Sequence, residues 1–266
     1  METGILAGRI RDLSNRAYQN DYLTHTAFLS ASEQAEFYDC LKRMGVSALS
    51  KSIDGVHYCL YGGHPDAERC CAFFLPSYMD EDQLIQTEAL TGEYISCILV
   101  RPANPKFAEA LDHRDYLGAL MNMGITREQI GDILKNEEEA YIYAAGDMAS
   151  LIAEELTRVK HTSVVCEIIP PAESRAEQAY RELSGSVASE RLDAILAMVY
   201  RLSRTRAQEL IRSEKVYLNG RITTDSGQSL KPGDRVSVRG FGKFLFDGTG
   251  ARTKKDRVYA NVRLFA

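Results

Sequence analysis

The chain has 266 residues, of which 45% are hydrophobic and 26% charged, with 19 Gly and 7 Pro. This composition is typical of globular proteins and excludes a disordered or collagen-like chain. The length suffices for two or three domains, each with its own core. All apolar runs are shorter than the roughly 20 residues that cross a bilayer, and the first residues lack the apolar centre of a secretion signal. We therefore expect a cytoplasmic protein with no membrane contact.

Charge is distributed unevenly along the chain. Residues 185–266 carry 16 Lys and Arg against 8 Asp and Glu, whereas residues 1–184 carry 16 basic and 29 acidic residues. The net charge of −5 therefore combines a C-terminal part at +8 with a preceding part at −13. This asymmetry indicates that the C-terminal part binds a polyanion and that the acidic part has a different role.

The six cysteines are predicted to be buried thiols. They form no CxxC pair, and no histidine lies at ligand spacing from them. This pattern favours neither a zinc site nor a disulfide framework, so we expect no metal and no cofactor. The cysteines are Cys40, Cys59, Cys70, Cys71, Cys97 and Cys166.

The first 75 residues predict helices followed by strands. Apolar residues at helical spacing favour two or three short helices before residue 45, with Ser30 or Ser32 as an N-cap. The segments VSALSKSI, GVHYCLYGG and RCCAFFLP are rich in Val, Tyr, Phe and Cys and are separated by glycine and proline signals. They predict strands joined by tight turns.

Residues 76–172 predict a small open sheet with helices packed on a face. Strand patterns occupy 94–100, 140–144 and 163–169. Helices are predicted at 81–91, at 107–123, after Thr126 (which has Gln129 at the capping-box spacing) and at 147–159. This alternation of strands and helices is typical of such a sheet.

The segment after Pro170-Pro171 is polar and rich in Ala, Glu and Arg. It predicts a helix that leads to a Gly-Ser hinge at 184–186. A domain boundary near 185 coincides with the change in charge.

Two short helices and a small sheet are predicted after this hinge. Apolar stripes mark the inner side of both helices, and Ser203 is the predicted N-cap of the second. The segments KVYLNGRI and SLKPGDRVSVRG then predict strands around an Asn219-Gly220 turn and a Pro-Gly turn. The inward-facing residues are Leu192, Ile195, Leu196, Val199, Ala207, Leu210 and Ile211.

Residues 191–236 resemble the S-four (S4) RNA-binding domain, which is also found in pseudouridine synthases, bacterial tyrosyl-tRNA synthetases and the heat-shock protein fifteen family. The matching marks are Arg191-Leu192-Asp193, Leu202-Ser203-Arg204, Ala207 to Ile211, Val216 with Asn219-Gly220, and Lys231-Pro232-Gly233-Asp234. The combination is specific but covers only this short part of the chain.

Further segments resemble the YlmH family, whose members end in an S4 domain. These segments are HRDYLGALMNMGITREQIGDI, RCCAFFLP and GFGKF with TKKDR. The resemblance implies an α+β protein with an N-terminal α/β domain (1–75), an RRM-like, ferredoxin-like middle domain (76–172), a linker (173–186) and an S4 domain of two helices packed on a small sheet (187–266).

Basic side chains on the predicted helix pair form the candidate RNA interface. Arginine forks bind phosphate oxygens and stack on exposed bases. Arg191 and Arg204 match positions that contact structured RNA in related S4 domains, and Lys231 and Asn219 belong to the same motif although turns also explain them. The candidate residues are Arg191, Ser203, Arg204, Arg206, Gln208, Arg212, Lys215, Asn219, Lys231 and Lys243.

Two segments near the end of the chain allow two interpretations. Gly240 to Phe244 and Thr253-Lys254-Lys255 combine glycines, aromatics and cations, which suit a second RNA contact. The aromatics are equally consistent with the core of a final hairpin.

The residues His113, Arg114, Asp115 and Tyr116 form a second candidate patch. The first three match the kinase catalytic triplet, but no glycine-rich loop precedes them. They are interpreted either as a patch for a protein partner or as a helix start, where Asp112 and Asp115 favour the helix dipole. We expect no catalytic residue.

Family resemblance and charge together predict a non-enzymatic RNA-binding protein. The YlmH resemblance implies binding to rRNA of the large ribosomal subunit, and to peptidyl-tRNA, in ribosome-associated quality control or rescue. The acidic N-terminal body is a candidate site for a protein partner. Two alternatives stay open: a cell-division adaptor with secondary RNA binding, and an RNA-modifying enzyme of the pseudouridine synthase type.

Overall fold

The computed structural model describes residues 3–46, 51–136, 139–175, 180–252 and 257–265. Contacts within the chain divide it into two units, Met1–Glu177 and Gln178–Ala266. Both units mix helices with antiparallel sheets, which confirms the predicted α+β class. Within the described ranges, no helix is both long enough and apolar enough to cross a membrane.

The first unit begins with two helices packed on a small sheet. Ser30 caps the second helix with a complete capping box that includes Glu33, which confirms one of the two predicted caps. Side chains from both helices share a core with the sheet, including Ile10, Phe37 and Phe74. The helices are α1 (Thr3–Asn20) and α2 (Ala31–Arg43), and the sheet, in the order β1-β4-β3-β2, contains β1 (Thr24–His25), β2 (Ser52–Ile53), β3 (Val56–Tyr61) and β4 (Cys71–Phe74).

A second antiparallel sheet follows in the same unit, in the order β6-β7-β5-β9-β8. Its four long strands and two helices follow one another as strand, helix, strand, strand, helix, strand, which is the element order of ferredoxin-like domains. The RRM-like description of residues 76–172 and the boundary at 75 stay predictions. The strands are β5 (Ile95–Pro102), β6 (Ile130–Lys135), β7 (Ala140–Ala145), β8 (Arg158–Val159) and β9 (Thr162–Ile169), and the helices are α3 (Glu81–Thr91), α4 (His113–Asn122) and α5 (Ala149–Glu155).

Both faces of this second sheet are covered. Helices α4 and α5 pack on one face, where Leu120 and Ile152 meet Ile98 and Ile142. The opposite face packs against β3 and β4 through a separate core that contains Phe73, Cys97, Tyr141 and Tyr143, among others. The apolar segment ISCILV is therefore buried along its whole length, as expected of a strand covered on both faces.

Three predicted helices of the middle region are wrong in extent or type. The helix predicted after Thr126 is a single 3-10 turn, Arg127–Gln129, and the chain then enters β6. The predicted helix 107–123 begins only at His113, where Asp112 provides a capping box. The predicted helix 147–159 ends at Glu155, because residues 158–159 pair with β9.

The second unit contains two helices and a six-stranded antiparallel sheet in the order β10-β15-β14-β13-β11-β12. The predicted helical stripes are confirmed, since all their inward-facing residues are buried in one core. Ser203 caps the second helix by accepting a hydrogen bond from the backbone of Arg206. The helices are α6 (Leu192–Val199) and α7 (Arg204–Arg212), and the strands are β10 (Tyr180–Val187), β11 (Val216–Leu218), β12 (Arg221–Ile222), β13 (Arg235–Val238), β14 (Gly242–Arg252) and β15 (Val258–Phe265).

The helix and hinge predicted between Pro171 and Ser186 are wrong where the structure describes them. Residues 180–187 form strand β10, which pairs along its whole length with β15. Gly185, predicted as part of the hinge, lies against Met198, and a Cβ there would approach the Met198 Cγ to 2.5 Å. The glycine therefore serves close packing of β10 on α6, and residues 180–186 of the predicted linker belong to the second sheet.

Candidate nucleic-acid interface

A buried carboxylate lies at the start of α6. Asp193 is a carboxylate, yet it is fully buried, beside the apolar residues that fill the core of the second unit. Three side chains donate hydrogen bonds to it from two elements: Arg191, which precedes α6, and Arg204 and Gln208 of α7. We call Asp193 with these three residues the Asp193 cluster.

The hydrogen bonds of the Asp193 cluster hold both guanidinium groups in place. Arg191 donates through Nε and Nη2 at 3.2 Å each, and Arg204 donates through Nε at 3.1 Å and Nη2 at 3.4 Å. The Gln208 amide completes the set, with Nε2 at 2.8 Å from Asp193 Oδ2. Two arginines on different elements therefore have fixed positions relative to one another.

Electrostatics keep the Asp193 cluster charged. Burial alone would raise the pKa of Asp193, but the hydrogen bonds from Arg191, Gln208 and Arg204 outweigh burial and lower the pKa to about 2. The same contact raises the pKa of Arg191. The cluster therefore carries two positive charges and one negative charge at neutral pH.

Part of each guanidinium group remains accessible. The side chain of Arg191 is 39% exposed and that of Arg204 is 51% exposed. Among the described residues, the hydrogen bonds of both arginines use only Nε and Nη2, so each Nη1 group is left for a ligand. Two fixed donors of this kind suit phosphate oxygens, which arginine binds in a fork geometry.

A loop before β13 fixes the start of α6. The backbone N–H groups of Leu192 and Asp193 donate to the carbonyl oxygens of Gln228 and Ser226, and Arg191 forms a β-bridge with Ser229. These contacts place the backbone of Arg191 independently of its side chain.

The other predicted residues divide into exposed cations and turn residues. Arg204, Gln208 and Arg212 are spaced four residues apart and share one side of α7. Arg206, Arg212, Lys215, Lys231 and Lys243 are exposed, and Arg206 pairs with Glu209 at 2.9 Å. Their arrangement agrees with the predicted basic surface, while their contact with RNA stays a prediction.

Asn219 and Ser203 have structural tasks. Asn219 lies in the left-handed region with φ at 49°, and its amide nitrogen donates to Asp234 Oδ1 at 2.8 Å. Its side-chain oxygen accepts from the backbone of Arg235 at 2.9 Å, so Asn219 joins two turns. Ser203 Oγ is engaged as the cap of α7.

Of the aromatic residues in the segment Gly240 to Phe244, one is buried and one is exposed. Phe244 is fully buried in the core, in agreement with the hairpin interpretation. Phe241 is 42% exposed and lies 5.4 Å from the ring of Tyr200. Thr253-Lys254-Lys255 lies outside the described residues.

The second candidate patch is smaller than the sequence indicates. Tyr116 is buried in the core under α4 and is not available to a partner. The backbone N–H of Asp112 donates to Asp115 Oδ2, and Lys160 Nζ lies 2.7 Å from Asp115 Oδ1; these two contacts lower the pKa of Asp115. His113 and Arg114 are exposed. The helix-start interpretation therefore explains Asp112 and Asp115.

Sequence reasoning missed the role of Asp193. The motif contains this residue, but the motif alone does not identify it as the acceptor that positions the arginines. The available signal is a single carboxylate within an otherwise apolar helix, two residues after an arginine. A buried carboxylate needs partners, and cations nearby in sequence are the first candidates.

The cysteines are buried or partly buried thiols, in line with the sequence prediction. Five are buried and Cys166 is partly buried, and all six are free thiols. Burial raises the pKa of Cys59 and Cys97 to about 12, so these thiols are protonated and unreactive at neutral pH. Within the described part of the chain, no group of three or more metal-ligating side chains comes together.

Comparison with known proteins gives two family matches. The model described as "Putative RNA-binding domain in YlmH" matches residues 96–173, and the model of the S4 domain matches residues 190–236. The second match contains the whole Asp193 cluster. These two matches define an RNA-binding protein with a C-terminal S4 domain.

The similarity extends beyond these two domains. The ribosome-associated protein quality control protein P2 of Bacillus subtilis (strain 168) is 30% identical over 224 residues, which cover 84% of this chain and 83% of the relative. The chain belongs to the YlmH family. Among solved structures, the cell division protein ylmH from Streptococcus pneumoniae aligns with 66% of this chain and 96% of that chain, at 20% identity and a TM-score of 0.47.

Proposed function

We propose that the protein binds rRNA of the large ribosomal subunit through the Asp193 cluster, with peptidyl-tRNA as a second contact, in ribosome-associated quality control. The observation that carries the proposal is the pair of arginines fixed on one buried carboxylate, within a unit that has a strong excess of positive charge. The role named for the Bacillus subtilis relative supports the process and a cytoplasmic location.

The geometry of the Asp193 cluster favours structured RNA. A fixed guanidinium group loses little conformational freedom on binding, so more of the contact energy appears as affinity. Two groups on a rigid helix pair also select ligands whose phosphates lie at a matching spacing, as in a folded RNA. The exposed cations Arg212 and Lys215 add charge that is independent of RNA sequence.

The proposed activity is binding, without a chemical step. An RNA-modifying enzyme of the pseudouridine synthase type needs an accessible aspartate in its site. Asp193 belongs to the S4 domain itself, is fully buried and has a pKa of about 2, which makes it a poor base at neutral pH. These properties support a structural role for this carboxylate.

Gradient sedimentation with purified ribosomal subunits tests the proposal. We expect the wild-type chain to migrate with the large subunit and to dissociate as salt rises. The variant Arg212→Glu/Lys215→Glu should bind more weakly, because it reverses two exposed charges without touching Asp193. The control Arg9→Glu/Arg11→Glu reverses two exposed charges on α1 of the acidic unit. Wild-type protein that stays at the top of the gradient at low salt would contradict the proposal.

A further inference from the structure

A groove opens on the helix-covered side of the middle sheet, within the first unit. It has a volume of about 550 Å³ and lies between α4, the end of α5 and β8. The groove is lined by residues 114–115, 118–119, 122–123, 155–158 and 160. It includes Arg114 of the second candidate patch, which the proposed function does not use.

Small and apolar residues form the inner part of the groove. Leu156 is buried, and Ala119 and Met123 are partly buried. At Gly118, an added Cβ would meet no atom within 4 Å, so the surface of α4 is open there. A flat ring can lie over this part of the helix.

Polar residues surround this inner part. Arg114, Asn122, Thr157 and Arg158 line the groove and are exposed. Their side chains provide two guanidinium groups, an amide and a hydroxyl, which are groups that bind phosphates and base edges.

The two arginines of the groove are not committed to internal contacts. Lys160 is held by Asp115 at 2.7 Å. In the described ranges, the side chains of Arg114 and Arg158 make no hydrogen bond or ion pair, although Glu155 also lines the groove. Two free guanidinium groups at one groove favour a ligand with negative charge.

The face of the sheet opposite to the groove is closed to a ligand. A sheet of this topology commonly binds RNA on its open face, but here that face is buried against β3 and β4. Residues 96–173 nevertheless match a domain family named for RNA binding. The concave, arginine-lined surface on the helix side is accessible.

We propose that this groove binds a single-stranded RNA segment, with a base over Gly118, Ala119 and Leu156 and the adjoining phosphates on Arg114 and Arg158. The inference deepens the proposed RNA-binding function by adding a second, distinct contact. A single strand fits because its unstacked bases can enter a groove that a duplex cannot. The apolar surface of Ala119 and Leu156 takes the place of the aromatic platform that is usual at such sites.

Photo-crosslinking of the full chain to a short oligouridine that carries 4-thiouridine tests the site. We expect cross-linked peptides from residues 113–123 and 155–160. In the variant Arg114→Glu/Arg158→Glu these crosslinks should fall about tenfold. The slope of log affinity against log salt concentration for oligouridine binding should also become smaller by about 1.4, because each of the two lost phosphate contacts contributes about 0.7. Arg9→Glu/Arg11→Glu is the matched control, since it changes the charge of the same unit equally.

Three results would overturn the inference. The first is crosslinking confined to residues 180–265, and the second is equal crosslinking at 113–123 and 155–160 in the groove variant and the control. The third is displacement of the oligouridine by an oligoglutamate of the same charge, which would identify an acidic peptide as the ligand. Failure of the proposed function would be a separate result, because the protein can fail to sediment with the large subunit while the groove crosslinks persist.

Discussion

Asp193 is the residue on which the proposed interface depends. Removing its charge takes the shared acceptor away from two arginines that are 39% and 51% exposed, a loss of about 2–3 kcal/mol, because a hydrogen bond to a charged group contributes about 1.5–3 kcal/mol. We expect Asp193→Asn to lower the free energy of unfolding of the second unit by that amount, as measured by urea denaturation. Glu209→Gln, which removes an exposed partner of Arg206, should change it by less than about 1 kcal/mol. Equal stability of the two variants would contradict this role of Asp193.

The lowered pKa of Asp193 also predicts a dependence of stability on pH. An unfolded aspartate has a pKa of about 3.9, whereas the folded value is about 2. Because the folded value is lower, the stabilisation is complete above about pH 4 and is lost as the pH falls to about 2, for a total of about 2.5 kcal/mol. Carboxyl-carbon NMR of Asp193 checks this directly. A midpoint near 4 would show that the hydrogen bonds do not outweigh burial.

Arg191 and Arg204 are poor sites for charge reversal. Their sequence pattern predicts two surface cations that can be changed without loss of folding, but the structure shows that both bind Asp193. A glutamate at either position would place a second carboxylate beside a buried one. Lysine keeps the charge and removes the fork geometry, including part of the contact with Asp193, so RNA affinity and stability are measured together for such a variant.

At the scale of elements, the S4 motif does not account for the whole second unit. The match to the S4 family ends at residue 236, whereas the core continues into β14 and β15. We expect Phe244→Ala to destabilise the unit by about 3–5 kcal/mol, because Phe244 is fully buried. Phe241→Ala, at an exposed ring three residues earlier, should cost less than about 1 kcal/mol. Thermal unfolding of both variants decides whether these strands complete the core.

Elements with strong local signals could be predicted from the sequence. Apolar stripes and caps placed α6 and α7, and Ser30 marked the start of α2, because the periodicity and the cap are written in adjacent residues. The S4 motif likewise predicts that Arg191 and Arg204 lie close together, which the structure shows. Their convergence on Asp193 is the part of the site that needed the structure.

Elements that depend on distant partners could not be predicted. Strand β6 follows a capping-box signal, and its pairing with β7 contains a register shift between Ile130 and Ile133. Asp132 accepts hydrogen bonds from the backbone of Glu68 and Arg69, more than sixty residues earlier. Strand β10 resembles a polar helix until β15 supplies its partner. Local patterns carry no information on such contacts.

At the scale of the whole molecule, the uneven charge assigns the two units different tasks. The second unit carries the positive charge and the Asp193 cluster, and electrostatic contacts with phosphates weaken linearly with the logarithm of salt concentration. We expect the acidic first unit to contribute little to such binding outside its groove, and it is the candidate for a protein partner. The proposed account therefore requires that affinity for ribosomal RNA depend mainly on the second unit.

The most direct measurement is the affinity of the large ribosomal subunit for wild-type protein and for Arg191→Lys/Arg204→Lys, with Arg9→Lys/Arg11→Lys as the control. We expect the first variant to bind about tenfold or more weakly, because lysine cannot form the two-pronged contact, and the control to match wild type. Urea denaturation should show that both variants are folded. Wild-type affinity in a folded Arg191→Lys/Arg204→Lys variant would contradict recognition of RNA by the fixed arginine pair.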